Sequence, residues 1–216
     1  MNPRFPLRAV LAAFLGMAAG LSAGPAPRPN ILWITVEDMS PHLGSFGDTF
    51  ARSPNLDAFA RQAVRYSRAF ATAPVCSPAR ACLVTGVYAT SLGNPHLRCE
   101  ITLPSSYKGY PAYLREAGWF TSNNAKTDYN LRDEAAFIRE VWDRNGPDAH
   151  WRQRPPGQPF FAIFNLMETH QSRTGVWPAE QFEREIASQL APGERADPRA
   201  VPLPPFYPDT PGARRA

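Results

Sequence analysis

Two predominantly apolar runs, residues 30–36 (Asn-Ile-Leu-Trp-Ile-Thr-Val) and 160–167 (Phe-Phe-Ala-Ile-Phe-Asn-Leu-Met), constrain this chain most. Short, β-branched or aromatic runs without polar alternation fit strands buried on both faces of a parallel sheet. Helical patterns lie between them. Ser53-Pro54 is a helix opening, with serine at the N-cap and proline at the first helical position, and Leu56, Phe59, Ala60, Ala63 and Val64 recur on one amphipathic face expected to pack on the sheet. Residues 64–70 read as a short strand, 110–117 as a helix closed by Gly118, 119–122 as a further strand and 137–142 as amphipathic. Strands alternating with helices over 216 residues predict one α/β domain: a mostly parallel central sheet flanked by helices.

In such sheets ligands bind beyond the carboxyl ends of the strands. Three groups of polar residues fall there: Glu37 and Asp38 after the first run, Lys126 after residues 119–122, and His170 after the last run. Taken singly, each also reads as a solvated strand end. The segment Cys76-Ser-Pro-Ala-Arg80 opens another predicted helix, with Pro78 in its first turn and Gly86 as its stop. Cys76 then sits where free backbone N–H groups and the helix dipole favour an anion and an ionised nucleophile, and Arg80 lies one turn away. A small apolar cysteine at a helix start is the alternative.

Composition removes other classes. The formal charge of +4 includes Arg4 and Arg8, and the basic residues, Lys108 and Lys126 being the only lysines, form no stripe, so nucleic acid is not an expected partner. Residues 1–26 have the order of a secretory signal peptide: Arg4 and Arg8, an apolar stretch from Ala9 to Leu21, then Ser22, Ala23 and Gly24. The stretch is shorter than the about 20 residues that span a bilayer, so an exported protein, periplasmic or extracellular, without a membrane anchor after cleavage is expected. Cys76, Cys82 and Cys99 are an odd set without zinc-site spacing; Cys82 and Cys99 could pair or stay free. The proline-rich stretch 191–211 is expected to pack poorly.

Cys-x-Pro-x-Arg at 76–80 resembles the signature of the type I sulfatases, in which the cysteine is oxidised to formylglycine. The likeness continues through Arg-Pro-Asn-Ile-Leu-Trp-Ile-Thr-Val-Glu-Asp, Ser-Pro-Asn-Leu-Asp-Ala-Phe-Ala and Thr-Gly-Val-Tyr. Asn-Ala-Lys-Thr-Asp-Tyr-Asn and Met-Glu-Thr-His-Gln-Ser-Arg are most similar to the heparan N-sulfatase-like branch. The resemblance implies the alkaline-phosphatase-like sulfatase fold, incomplete at the C-terminus, with 27–216 as the N-terminal portion of a truncated catalytic domain. It implies hydrolysis of sulfate esters or sulfamates, on a sulfated small molecule or glycan, by hydrated formylglycine made from Cys76 by a formylglycine-generating enzyme.

Carried over residue by residue, the resemblance also implies a calcium ion held by Glu37, Asp38 and the modified residue 76. Arg80 would hold residue 76, and Lys126 and His170 would bind sulfate oxygens, with His170 a proton donor to the leaving group. Two residues depart from the common pattern: Glu37 stands where aspartate is usual, and Asp128 where many members have histidine two after the lysine. The Asp-Asn metal pair of the family's later half has no counterpart after His170, so this chain alone is expected to be inactive. The alternatives are a truncated non-catalytic pseudoenzyme or binding remnant, and a formylglycine-dependent phosphonate or phosphate ester hydrolase.

Overall fold

The computed structural model describes residues 27–214. The leader expected at 1–26 therefore lies outside the described residues. The chain divides into two units, Met1–Asn30 and Ile31–Ala216. Of the first, residues 27–30 are without regular secondary structure; the sheet and its helices belong to the second.

Four strands, β1 (Ile31–Val36), β2 (Phe120–Asn124), β3 (Arg144–Asn145) and β4 (Phe160–Leu166), form one sheet in the order β1-β4-β2-β3. Every pairing is parallel, with Ile31 opposite Phe161, Thr35 opposite Asn165, and Phe120 opposite Phe160. Parallel pairing carries the ends of β1, β4 and β2 to one edge. That edge is where the site residues were expected.

Seven helices accompany the sheet among the described residues: α1 (Pro54–Ala60), α2 (Cys76–Thr85), α3 (Ala89–Leu92), α4 (Tyr110–Glu116), α5 (Glu134–Val141), α6 (Ser172–Gly175) and α7 (Ala179–Glu185). The core lies on one face of the sheet, where Phe161 of β4 meets Val84 of α2, Ala112 of α4, and Phe137, Val141 and Trp142 at α5. Trp142 stacks on the Phe161 ring at 5.9 Å between centroids, and Tyr110 approaches it edge-on at 5.4 Å. Gly109 lets α4 come this close: a Cβ there would lie 2.7 Å from both Phe137 and Val141 side-chain carbons. Strand alternation then puts Phe161, Ile163 and Asn165 on the helix side. On the other side Phe160 and Phe164 pack with Trp151, from a 3-10 turn at Trp151–Gln153.

Three expectations are corrected. β1 is not buried on both faces: it is an edge strand among the described residues, and Leu32 and Ile34 on its outer face are 49% and 53% exposed. The apolar face of α1 is not core either, since the helix packs on the 3-10 turn Gly44–Phe46 and leaves Leu56, Phe59 and Val64 exposed. Amphipathicity marks a face that favours cover, but no described element supplies it. Residues 64–70 are irregular and exposed, without a strand partner. Ser53 is the N-cap residue of α1 as expected, yet its hydroxyl accepts from the Gly44 N–H and donates to Asp57 instead of capping. The stretch 191–211 is exposed almost throughout, as its prolines suggest, and Arg214 ties it locally to Asp209 and to the carbonyls of Pro198, Arg199 and Val201.

Candidate active site

Helix α2 begins at Cys76, with extended Val75 before it and Gly86, at φ 72°, as its left-handed C-cap. Pro78 fits the first turn because the N–H it lacks would have had no helical partner. Arg80 follows one turn later and points under the sheet edge, its side chain only 7% exposed. Each of its three nitrogens donates. Nε donates to the Thr127 carbonyl, Nη2 to the Lys126 carbonyl and to Asn165 Oδ1 (3.0 Å), and Nη1 to Glu37 Oε1 (3.0 Å).

Glu37 takes a second cation on its other oxygen: Lys126 Nζ lies 2.9 Å from Oε2. These carboxylate and ammonium groups are 10% and 15% exposed, so the three charges interact through a medium far less screening than water. Asp128 adds a second carboxylate at Cys76 and is itself paired with Arg98 at 4.0 Å, so three cations meet two carboxylates, which leaves one positive charge for an incoming anion. The Tyr129 ring closes the inner side; burial pushes its hydroxyl up to about 12, against the lowering influence of Arg80. Trp142 Nε1 donates to that hydroxyl at 3.1 Å.

Cys76 faces this cluster through Lys126 on one side and Asp128 on the other. Burial pushes its thiol above the ordinary value, and a hydrogen bond and charge repulsion from Asp128 add to the effect; Lys126 and the Ser77 N–H pull the other way and lose. The ionised thiol expected from the helix N-terminus is therefore not favoured here. A protonated thiol suits a precursor better than a thiolate nucleophile. Asp128→Asn should lower the thiol pKa, so the pH profile of Cys76 alkylation, followed by peptide mapping, should move toward lower pH. An unmoved profile would contradict the Asp128 contact.

Not every expected residue joins the cluster. Asp38, at φ 55°, turns outward and accepts the Gln171 N–H at 3.0 Å. His170 pairs with Ser172 Oγ at 2.7 Å, and Thr169 donates to the Glu37 carbonyl, so the loop after β4 is tied to the loop after β1. Glu37, Arg80, Lys126 and Cys76 converge; Asp38 and His170 border them. Cys82 and Cys99 are free thiols, so the possible disulfide is not formed. Sequence reasoning missed Asn165 and Tyr129, because a polar residue inside an apolar run and a tyrosine in a loop carry no signal of the arginine they meet.

Calcium takes about 6–8 oxygen ligands. Both Glu37 oxygens are committed to cations, and among the described residues no three His, Cys, Asp or Glu side chains form a group able to hold a metal. The residues present do not fit a calcium shell by themselves. Calorimetric titration of the 216-residue chain should therefore show no saturable calcium binding tighter than about 1 mM, the weak end of protein calcium sites. Micromolar binding would contradict this.

The family model described as Sulfatase matches residues 29–200. The ulvan-active sulfatase of Formosa agariphila is 39% identical over 157 residues, covering 67% of this chain and 26% of the relative. Two solved structures share the fold: one determined in complex with its substrate D-glucosamine-2-N,6-O-disulfate (17% identity, TM-score 0.53, 72% of this chain and 37% of the other), and a 2-O GAG sulfatase (19%, 0.55, 68% and 36%). The chain thus spans between about a quarter and two fifths of the length of these relatives. These relatives do not single out an N-sulfatase branch. A match over most of the chain, on a parallel sheet that brings the Cys-x-Pro-x-Arg helix to its carboxyl edge, places this chain in the sulfatase family, of which it corresponds to the N-terminal part.

Proposed function

We propose that this chain carries the nucleophile side of a sulfatase site, serving hydrolysis of sulfate esters or sulfamates on sulfated carbohydrates in a longer exported protein whose residues 1–26 are a cleaved leader. The observation that carries the reading is the meeting of Cys76, at the N-terminus of α2, with Lys126 and Arg80 around one buried carboxylate. Relatives named for ulvan, for a disulfated glucosamine and for a glycosaminoglycan support the carbohydrate class.

In this reading a formylglycine-generating enzyme converts Cys76, and the hydrated aldehyde so formed supplies the oxygen nucleophile. The chain's own residues then bind and orient. Arg80 fixes the first turn of α2 and hence residue 76. Lys126 neutralises charge on the sulfate oxygens, exchanging part of its pairing with Glu37 for the anion, while the N–H groups of α2 add donors. His170, whose Nδ1 pairs with Ser172, would give the leaving-group oxygen its proton. A calcium ion would engage Asp38 and residue 76, but the described residues do not complete its shell, and no step here depends on it.

Mass spectrometry of the chain after co-expression with a formylglycine-generating enzyme tests the reading. Replacement of the thiol by an aldehyde at residue 76, with Cys82 and Cys99 unchanged, is expected. A fully retained cysteine at 76 would remove the basis of the proposal.

A further inference from the structure

Asn165 is a buried amide whose every hydrogen-bonding position is used. It sits on β4, 7% exposed, beside Thr35 of β1 and two residues beyond Ile163 on the helix side of the sheet. Its Oδ1 accepts from Thr35 Oγ1 at 2.8 Å and from Arg80 Nη2 at 3.0 Å. Its Nδ2 donates to Asn123 Oδ1 at 3.0 Å, to the Asn124 carbonyl at 3.0 Å and to the Lys126 carbonyl at 3.3 Å. An arginine nitrogen only donates and a backbone carbonyl only accepts, so the amide can point one way only. One side chain therefore ties together β1, the turn after β2, and α2. An aspartate of the same shape would turn a carboxylate toward two carbonyls and lose all three donor bonds. A leucine would fill the space and leave those oxygens and part of the Arg80 guanidinium unpaired, at the cost that buried unpaired groups carry.

We propose that Asn165 is a positioning residue: it sets the Arg80 guanidinium and the Lys126 backbone relative to each other, and so aligns residue 76 and the Lys126 ammonium on one anion. The inference rests on the reading that this cluster receives a sulfate group. Asn165 touches neither Cys76 nor the anion position. It acts through Arg80, which is rooted in the helix that begins at Cys76, and through the 124–127 turn, which carries Lys126. Asn123 braces the same turn, donating to the Lys126 carbonyl at 3.1 Å and to Asn145 of β3 at 2.7 Å, so the amide pair spans the full width of the sheet at its carboxyl edge.

The test uses the 216-residue chain with inorganic sulfate as probe. Protection of Cys76 from iodoacetamide is read by peptide mapping, which separates it from Cys82 and Cys99. The Arg80 Nε–H signal is read by NMR as a local report that overall stability does not move. In the natural chain sulfate is expected to slow alkylation of Cys76, and the Arg80 signal is expected to be sharp and slow to exchange. Asn165→Leu, and Asn165→Thr as a second strand-compatible variant, should stay folded, lose the sharp Arg80 signal, and need about tenfold or more sulfate for equal protection, as expected when hydrogen bonds to a charged group go. Folded variants with the natural Arg80 signal and natural protection would overturn the proposal. So would unfolding of both variants, which would assign Asn165 to folding alone. Absence of sulfate protection in the natural chain would instead overturn the functional reading beneath it, which keeps the two failures distinct.

Discussion

Glu37→Ala is expected to destabilise the chain by about 3–5 kcal/mol, the range for removing one partner from a buried ion pair. The variant would leave Arg80 and Lys126, both largely removed from water, without their shared carboxylate. Arg80 keeps its bonds to the carbonyls of Lys126 and Thr127, so local structure persists around an uncompensated double positive charge. Glu37→Gln keeps the shape and one acceptor but not the charge, and should cost less, about 1.5–3 kcal/mol. Urea unfolding of the three proteins gives both numbers. Losses below about 1 kcal/mol for both variants would mean that the pairs behave as solvated surface pairs.

The second large effect concerns where the core lies. Phe161→Ala should cost about 3–5 kcal/mol, because the ring is 2% exposed and is enclosed by Trp142, Tyr110 and the helices on one face of the sheet. Phe59→Ala, on the apolar face of α1, should change stability by no more than about 0.5 kcal/mol, since that ring is 69% exposed. The same chemical change at two phenylalanines thus separates a face that is covered from one that only has the pattern of being covered. Equal costs at both positions would show that α1 packs on something in solution, and the one-sided core would be wrong.

The pattern that made β1 and β4 visible in the sequence is local: six or seven apolar residues bounded by acids or turn formers. The start of α2 at Cys76 was visible for the same reason, with Pro78 and Gly86 marking its first turn and its end. The convergence of Glu37 and Lys126 followed from strand ends in a parallel sheet, a topological inference that needed no contact to be known. What stayed hidden depends on partners far apart in the chain. Arg80 reaches a carboxylate 43 residues earlier and carbonyls 46 and 47 residues later, and no periodicity encodes that. Asn165 interrupts an apolar strand and reads as a blemish until its neighbours are seen. β3 has two residues, too few for any pattern. The exposed sides of β1 and α1 show the converse limit, since an apolar face states a preference for cover without stating where the cover is.

Helix position was likewise an incomplete guide to the Cys76 thiol, whose pKa is raised. Helix position alone favours an anion there, yet burial and Asp128 outweigh the helix end and Lys126. Those two influences act on different species. A thiol kept neutral is compatible with a site whose remaining positive charge, from Arg80 and Lys126, is held for another anion.

A crystal structure of this chain grown with inorganic sulfate tests that division of charge. Sulfate is expected at the N-terminus of α2, within hydrogen-bonding distance of Lys126 Nζ and the first backbone N–H groups, with Arg80 unmoved on Glu37 and Asn165. Sulfate bound only elsewhere on the chain at saturating concentration, with Lys126 still held on Glu37 and the helix end bare, would contradict it.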